Sequence, residues 1–110
     1  MANIYRNDKV SLTSTANTVL YTVPSNSRAI VKSLLVVEDN AGAAVVKATL
    51  TNAAGTAFVI DNNISLSANE KEQVLTEPLI MLESEILKVQ ATSGNVDAIA
   101  SILEINREDR

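Results

Sequence analysis

Thr18-Val19-Leu20-Tyr21-Thr22-Val23 and Ala29-Ile30-Val31-Lys32-Ser33-Leu34-Leu35-Val36-Val37-Glu38 stand on either side of Pro24-Ser25-Asn26-Ser27. Both runs are dominated by β-branched and large apolar residues, which fit a pleated, half-buried surface. The break between them holds Pro, which presets φ, and Asn, which tolerates positive φ. The stretch reads as strand, turn, strand, and the rest of the chain repeats the pattern at short intervals.

Working outward, further turn clusters occur at Asp39-Asn40-Ala41-Gly42, Asn52-Ala53-Ala54-Gly55, Asp61-Asn62-Asn63, Ser67-Ala68-Asn69, Glu77-Pro78, Glu83-Ser84-Glu85 and Ser93-Gly94-Asn95. They delimit β-rich runs at residues 45–51, 57–60, 64–66, 73–75, 79–82, 86–91 and 96–105, with 9–12 as a further edge strand. Eight to ten short strands in 110 residues predict an all-β chain, a jelly-roll-like antiparallel β-sandwich in a single domain. Residues 1–17 read as a polar N-terminal arm anchored by Ile4 and Tyr5. Residues 18–105 make the β-sandwich, and 106–110 a polar tail.

Alternation assigns faces. Val46, Ala48 and Leu50 oppose Lys47, Thr49 and Thr51, and Leu87, Val89 and Ala91 oppose Lys88 and Gln90. A period of two puts each set on one side of a sheet. Two strands depart from this pattern. Residues 29–38 carry Val31, Leu35 and Val37 on one side and Ile30, Leu34 and Val36 on the other. Residues 96–105 carry Ile99, Leu103 and Ile105 opposite Val96, Ala98, Ala100 and Ile102. A strand apolar on both faces is buried on both, and one sandwich of this size has one interior. A second subunit, a covering loop or sheet curvature must hide the other face; a subunit is the expectation carried forward.

Composition narrows the chemistry. The chain has no Cys, His or Trp, and its aromatics are Tyr5, Tyr21 and Phe58. Thiol chemistry, disulfides, the commonest general base and the commonest transition-metal ligand are all absent. The net charge is −4, and the basic residues are scattered singly, so no basic stripe for phosphate backbones exists. The longest apolar run, residues 34–37, is far too short for a membrane span. No apolar leader opens the chain, which reads as a protein made in the cytoplasm.

Candidate sites are few. Glu70 with Glu72 and Glu83 with Glu85 are carboxylate pairs in or beside turns, where solvated acids are ordinary. Asp61, Asn63, Ser65 and Glu72 match four ligand positions of an oxygen-ligand calcium loop. Leu66 occupies the position that needs Gly, so the match reads as chance. Sugar binding by aromatic stacking is poorly served by three aromatics, and Tyr21 reads as core or interface with its hydroxyl at a wet edge. No catalytic, metal or cofactor site is expected, and the chain does not read as an enzyme.

The run from Thr18 to Val36 resembles the opening hairpin of small β-sandwich proteins of tailed-bacteriophage virions. The segment from Asn62 to Asn69, the edge Glu77-Pro78-Leu79-Ile80 and the final hairpin from Ile86 to Ile105 are similar too. Such chains often carry a Gly after the proline; Ser25 and Asn26 stand there instead, and Asn serves the same turn. The resemblance implies a capsid decoration or cement protein. It would be a homo-oligomer, a trimer, made in the host cytoplasm and bound to the major capsid protein on the outer capsid surface, with no nucleic acid and no membrane partner. Tail, neck or head-fibre component and carbohydrate-binding module are the alternatives. The contact residues expected are Ile4, Tyr5, Tyr21, Ile30, Leu34 and Val36.

Overall fold

The computed structural model describes residues 2–39, 42–92 and 95–106. Among them nine strands run in chain order: β1 (Ala2–Leu12), β2 (Thr18–Thr22), β3 (Ser27–Glu38), β4 (Ala44–Thr51), β5 (Ala57–Leu66), β6 (Lys71–Gln73), β7 (Leu79–Met81), β8 (Ile86–Ala91) and β9 (Val96–Asn106). One sheet, here sheet A, has the order β1-β9-β3-β6, with β7 also on β3; sheet B has the order β2-β8-β4-β5. Every pairing is antiparallel. The chain crosses repeatedly between the sheets, as in a jelly roll. β6 and β7 share the free edge of β3, β6 against Leu35–Val37 and β7 against Ala29–Val31.

The core between the sheets is made of small and branched side chains. Ala29, Val31, Leu34 and Val36 from β3 and Val96, Ala98, Ala100 and Ile102 from β9 meet Val46 and Ala48 of β4 and Leu87 and Val89 of β8. Alanines at these inner positions let the backbones approach, which accounts for a core nearly free of aromatics. The alternation expected for β8 holds, since Leu87, Val89 and Ala91 are buried and Lys88 and Gln90 are half-buried. In β4 burial alternates only as far as Ala48, because Thr49 and Thr51 are buried too while Leu50, opposite Leu87, is half-buried.

Four turns follow from local chemistry. Asn26, Asn69, Ser84 and Gly55 have φ of 60, 59, 70 and 92°. Asn26 thus supplies the left-handed residue after Pro24-Ser25 that a Gly would otherwise supply. Asn52 Oδ1 accepts from the N–H groups of Ala54 and Thr56 and closes the β4–β5 turn. Glu70 Oε1 accepts from Ser67 N–H at 2.6 Å and Glu85 Oε1 from Leu82 N–H at 2.8 Å. One carboxylate of each pair singled out therefore closes its own turn.

The structure differs from the sequence expectations in several places. The edge strand expected at 9–12 reaches back to Ala2 and pairs with β9 along its whole length. The turn expected at Asp61-Asn62-Asn63 is a bulged part of β5, because Val46 faces Ile64 while Ala48 faces Asp61. Asp61, Asn63 and Ser65 are consequently extended, and Asp61 Oδ1 accepts from Asn63 N–H. The strand expected at 73–75 is β6, two residues earlier. The turn residues Asn40, Ala41, Ser93 and Gly94 and the tail residues 107–110 lie outside the described residues.

The largest difference concerns β3. Its register against β9 shifts between Val31 and Ser33. The bulge reverses the parity of the strand: Ala29 and Val31 point inward before it, Leu34, Val36 and Glu38 after it. Strict alternation had grouped Ile30 with Leu34 and Val36. Instead Ile30 shares the outer face with Leu35 and Val37, all three half-buried.

Candidate subunit interface

Residues directly opposite in an antiparallel pair share a face. The register therefore specifies the outer surface of sheet A row by row. Tyr5 pairs with Leu103, Leu103 with Ile30, and Ile30 with Ile80, so four large apolar side chains lie in one line across β1, β9, β3 and β7. The next line, Asn7, Ser101 and Ser33, is polar; beyond it Lys9, Ile99, Leu35 and Gln73 make a mixed line and Ser11, Asp97, Val37 and Lys71 a mostly polar one. Ile105 pairs with Arg28 at the opposite end.

The ends of the first line are the most open. Tyr5 is 77% exposed and Ile80 64%, whereas Leu103 and Ile30 between them are half-buried by their neighbours. Leu82 (54%) extends the apolar surface at the β7 edge, whereas Ile4 (43%), opposite buried Glu104, is exposed on the other face of β1. Among the described residues nothing covers this face, so the double apolarity read from the sequence is not explained by a loop of the described chain. Lys9 and Lys32 border it. Lys32, placed by the bulge, shares a shallow depression with Tyr5, Arg6, Asn7, Ser101 and Ile102.

Sheet B is mixed on its outer side. Its register puts Val19, Lys88, Thr49 and Val59 in one line, with Val19 50% and Val59 54% exposed, and Lys47 and Gln90 in the neighbouring line.

A polar cluster closes the gap between the sheets where β1 and β2 adjoin. Tyr21 Oη donates to Glu104 Oε2 at 2.6 Å, and both residues are buried. Arg6 donates to Glu104 Oε2 at 3.5 Å and to Asp8 Oδ1 at 2.9 Å, and its guanidinium lies 5.6 Å from the centre of the Tyr21 ring. Burial, then the Glu104 hydrogen bond, pushes the Tyr21 phenol well above its ordinary value. The Asp8 hydrogen bond raises the Arg6 guanidinium, with the charges of Asp8 and Glu104 adding to it. Glu38 is the second buried carboxylate. Its Oε1 accepts from Gly42 N–H at 3.2 Å and Asn69 N–H at 2.9 Å, tying the end of β3 to the turn before β6.

The residues expected to make contacts are divided by the structure. Ile4 and Tyr5 are exposed on β1, and Ile30 belongs to the outer row. Leu34 and Val36 are completely buried in the core, and Tyr21 is 3% exposed, so these three correct the expectation: they pack within the sandwich and offer no surface. The reason for Leu34 and Val36 is the bulge; for Tyr21 it is the buried carboxylate, which replaces the expected wet edge. Leu35, Ile80 and Leu103 lie on the outer face of sheet A and were not among the residues expected to make contacts. For Leu35 the signal was the adjacent polar pair Lys32-Ser33, which interrupts an otherwise apolar strand where its parity reverses.

No protein-family model matches this chain, and no curated protein matches it in sequence. Solved structures do resemble it. A chain of infectious bursal disease virus, Gx strain, superposes with a TM-score of 0.52 at 13% identity over 94% of this chain and 32% of that one. This chain thus spans about a third of the viral chain's length. The Drosophila NLP core, whose structure was described for pentamer formation and histone binding, gives 0.50 at 14% identity over 96% of this chain and 100% of that one. The extra small virus of the giant freshwater prawn Macrobrachium rosenbergii, as a virus-like particle, gives 0.48 at 13% identity over 99% and 82%. At these identities the likeness to the bursal disease virus chain and the Drosophila core shows the fold alone, an antiparallel jelly-roll sandwich.

Proposed function

We propose that the chain is a structural virion protein, a homo-oligomeric capsid decoration protein that binds the outer surface of a shell and stabilises it. The observation that carries this reading is the apolar line Tyr5, Leu103, Ile30 and Ile80 across the outer face of sheet A, open at both ends. Burying such a face stabilises an assembly by roughly 25 cal/mol per Å² of apolar area, less the cost of association. Repetition over a lattice turns a modest contact into a strong one. The jelly-roll fold shared with the bursal disease virus chain supports the reading, as does the similarity of the opening hairpin to small virion proteins. The missing His and Cys and the turn-closing carboxylates speak against catalysis.

The test is the copy number of this protein in purified virions, by quantitative mass spectrometry against the major capsid protein. A ratio near one, or a simple fraction such as a third, supports a shell-covering role. A handful of copies per particle points to tail, neck or fibre. Absence overturns the virion reading.

A further inference from the structure

Among the described residues the edges of the two sheets are unequally protected. β2 has five residues and a bulge between Val19 and Tyr21, β5 is bulged twice, and β6 and β7 have three residues each. Short strands and bulges keep an edge from pairing with another chain. β1 has neither device. It runs for 11 residues without Pro, and its register against β9 is unbroken. Asn3, Ile4, Tyr5, Arg6, Asn7, Lys9 and Ser11 are all exposed. After Leu12 the chain crosses to sheet B, where the Thr15 carbonyl accepts from Gln90 Nε2. Every second residue of β1 thus turns its N–H and C=O to an open edge.

The order of residues along β1 selects what pairs with it. Read outward from Asn7 in both directions, the strand gives Arg6 with Asp8, Tyr5 with Lys9, Ile4 with Val10 and Asn3 with Ser11. These are a cation with an anion, a ring with an ammonium, two β-branched apolar residues and two polar ones. A second β1, antiparallel to the first across a two-fold axis at Asn7, sets these same residues opposite each other. Arg6 meets Asp8 of the second copy and Asp8 meets its Arg6, so the 2.9 Å pair Arg6–Asp8 and its copy make four charges of alternating sign. Tyr5 meets Lys9 of the second copy, a cation against an aromatic face, and Ile4 meets Val10. Opposed residues share a face, so Tyr5, Asn7 and Lys9 stay on the outer side and Ile4, Arg6, Asp8 and Val10 on the other. The two exposed apolar side chains of this strand, Ile4 and Tyr5, are covered together although they lie on opposite faces. The line Ile80, Ile30, Leu103 and Tyr5 of one copy runs on into Lys9, Ile99 and Leu35 of the other. Moving the axis one residue either way sets Arg6 against Arg6 or Asp8 against Asp8, and puts Ile4 or Val10 opposite a charge, which disfavours both registers.

We propose that the chain forms a two-fold dimer by antiparallel pairing of β1 with β1 of a second copy, centred on Asn7, so that sheet A continues from one protomer into the next. About ten backbone hydrogen bonds join two strands of this length. Such a contact uses the same patch on both copies and closes at two. The dimer deepens the functional reading above by naming the partner of this edge, and it rests on that reading only for its biological setting.

The test uses the full chain and variants altered only at exposed outer positions of β1, with circular dichroism to check that each folds. By sedimentation velocity and native mass spectrometry the wild-type chain is expected as a dimer at tens of micromolar. Tyr5→Lys sets like charges opposite each other twice per dimer and is expected to raise the dimer Kd by about tenfold or more. Adding Lys9→Glu to that chain sets Lys opposite Glu and is expected to restore the dimer. The native chain has no Cys, so single cysteines report the register directly. The Asn7→Cys chain is expected to form a covalent dimer with a short thiol cross-linker. The Asn3→Cys and Ser11→Cys chains are expected to cross-link only when mixed, since the two copies of either position lie about 25 Å apart.

A monomeric wild-type chain, or an odd-numbered oligomer, would overturn the proposal. So would a dimer in which Asn7→Cys stays uncross-linked or Asn3→Cys cross-links with itself, because the contact would then lie elsewhere or in another register. Failure of Lys9→Glu to rescue Tyr5→Lys would separate these two residues and overturn it as well. A monomeric chain found in virions at a simple ratio sinks the dimer and leaves the virion reading standing. A dimer absent from virions does the reverse.

Discussion

Tyr21 of β2 and Glu104 of β9 belong to different sheets, and the phenol donates a 2.6 Å hydrogen bond to the carboxylate across the sandwich. A buried carboxylate is tolerated only when hydrogen-bonded or paired. Glu104 draws on one short bond from Tyr21 and one long one from Arg6. Replacing Tyr21 by Phe keeps the ring and removes the short bond. The expected cost is about 1–3 kcal/mol in urea unfolding at neutral pH, the penalty of an under-satisfied buried acceptor.

Burial of Tyr21, together with the same bond, gives an alkaline limb. The folded phenol holds its proton above the ordinary value of 10.0, so this contribution is complete below about pH 10. It is lost as pH rises further, because the unfolded chain ionises first. Unfolding free energy measured from pH 8 upward should fall more steeply for the wild type than for Tyr21→Phe. Parallel curves would show that Tyr21 is not the group responsible.

Leu34 and Leu35 are neighbours in sequence on opposite faces of β3. Leu34→Ala should cost about 2–5 kcal/mol, since Leu34 is fully buried and leaves a cavity. Leu35→Ser should change the stability of an isolated protomer far less, and should weaken self-association if the outer face of sheet A is covered by a partner. Chemical denaturation and sedimentation measured on both variants decide this. Equal destabilisation would contradict the parity reversal at Lys32.

Thr49 is buried on the central strand β4, and its Oγ1 has no hydrogen-bond partner among the described residues. Valine has nearly the same shape and keeps the β-branch. Thr49→Val should raise stability by about 1 kcal/mol, visible as a higher Tm. A loss of stability would mean the hydroxyl is satisfied in solution.

Asp39 and Asp97 share a site at the end of β3 and β9. Hydrogen bonding to Asp97, followed by a small burial contribution and the Asp97 charge, raises Asp39 above the usual carboxylate range. A raised acid favours its neutral form in the fold, so the pair is least favourable when both are ionised. Stability should therefore rise as pH falls from neutrality through the folded pKa of Asp39. Asp39→Asn should raise Tm at pH 7 and flatten that part of the profile. Retention of the wild-type profile would assign it to other carboxylates.

Much of this protein was legible from the chain alone. β-branched runs, turn residues at close spacing and the alternation in β4 and β8 determined an antiparallel sandwich, because strand formation and face assignment depend on neighbours within a few residues. The two-faced apolarity of β3 and β9 was equally plain. Asn26 was readable as the left-handed turn residue after Pro24-Ser25, since that preference is local.

Which residues face outward was a matter for the tertiary structure. A single extra residue near Lys32 reverses every later side chain of β3, moving Leu34 and Val36 into the core and Leu35 and Val37 out. Periodicity reads a strand correctly only as far as its first bulge. The polar reading of residues 1–17 missed the part of β1 before Lys9; the 11-residue pairing of this strand comes from backbone bonds to β9 and not from its own apolar content. The meeting of Tyr21 with Glu104, 83 positions apart, and the line from Tyr5 to Ile80 exist only once the strands are ordered in their sheets. Long-range pairing sets that order, and no local pattern in the chain encodes it.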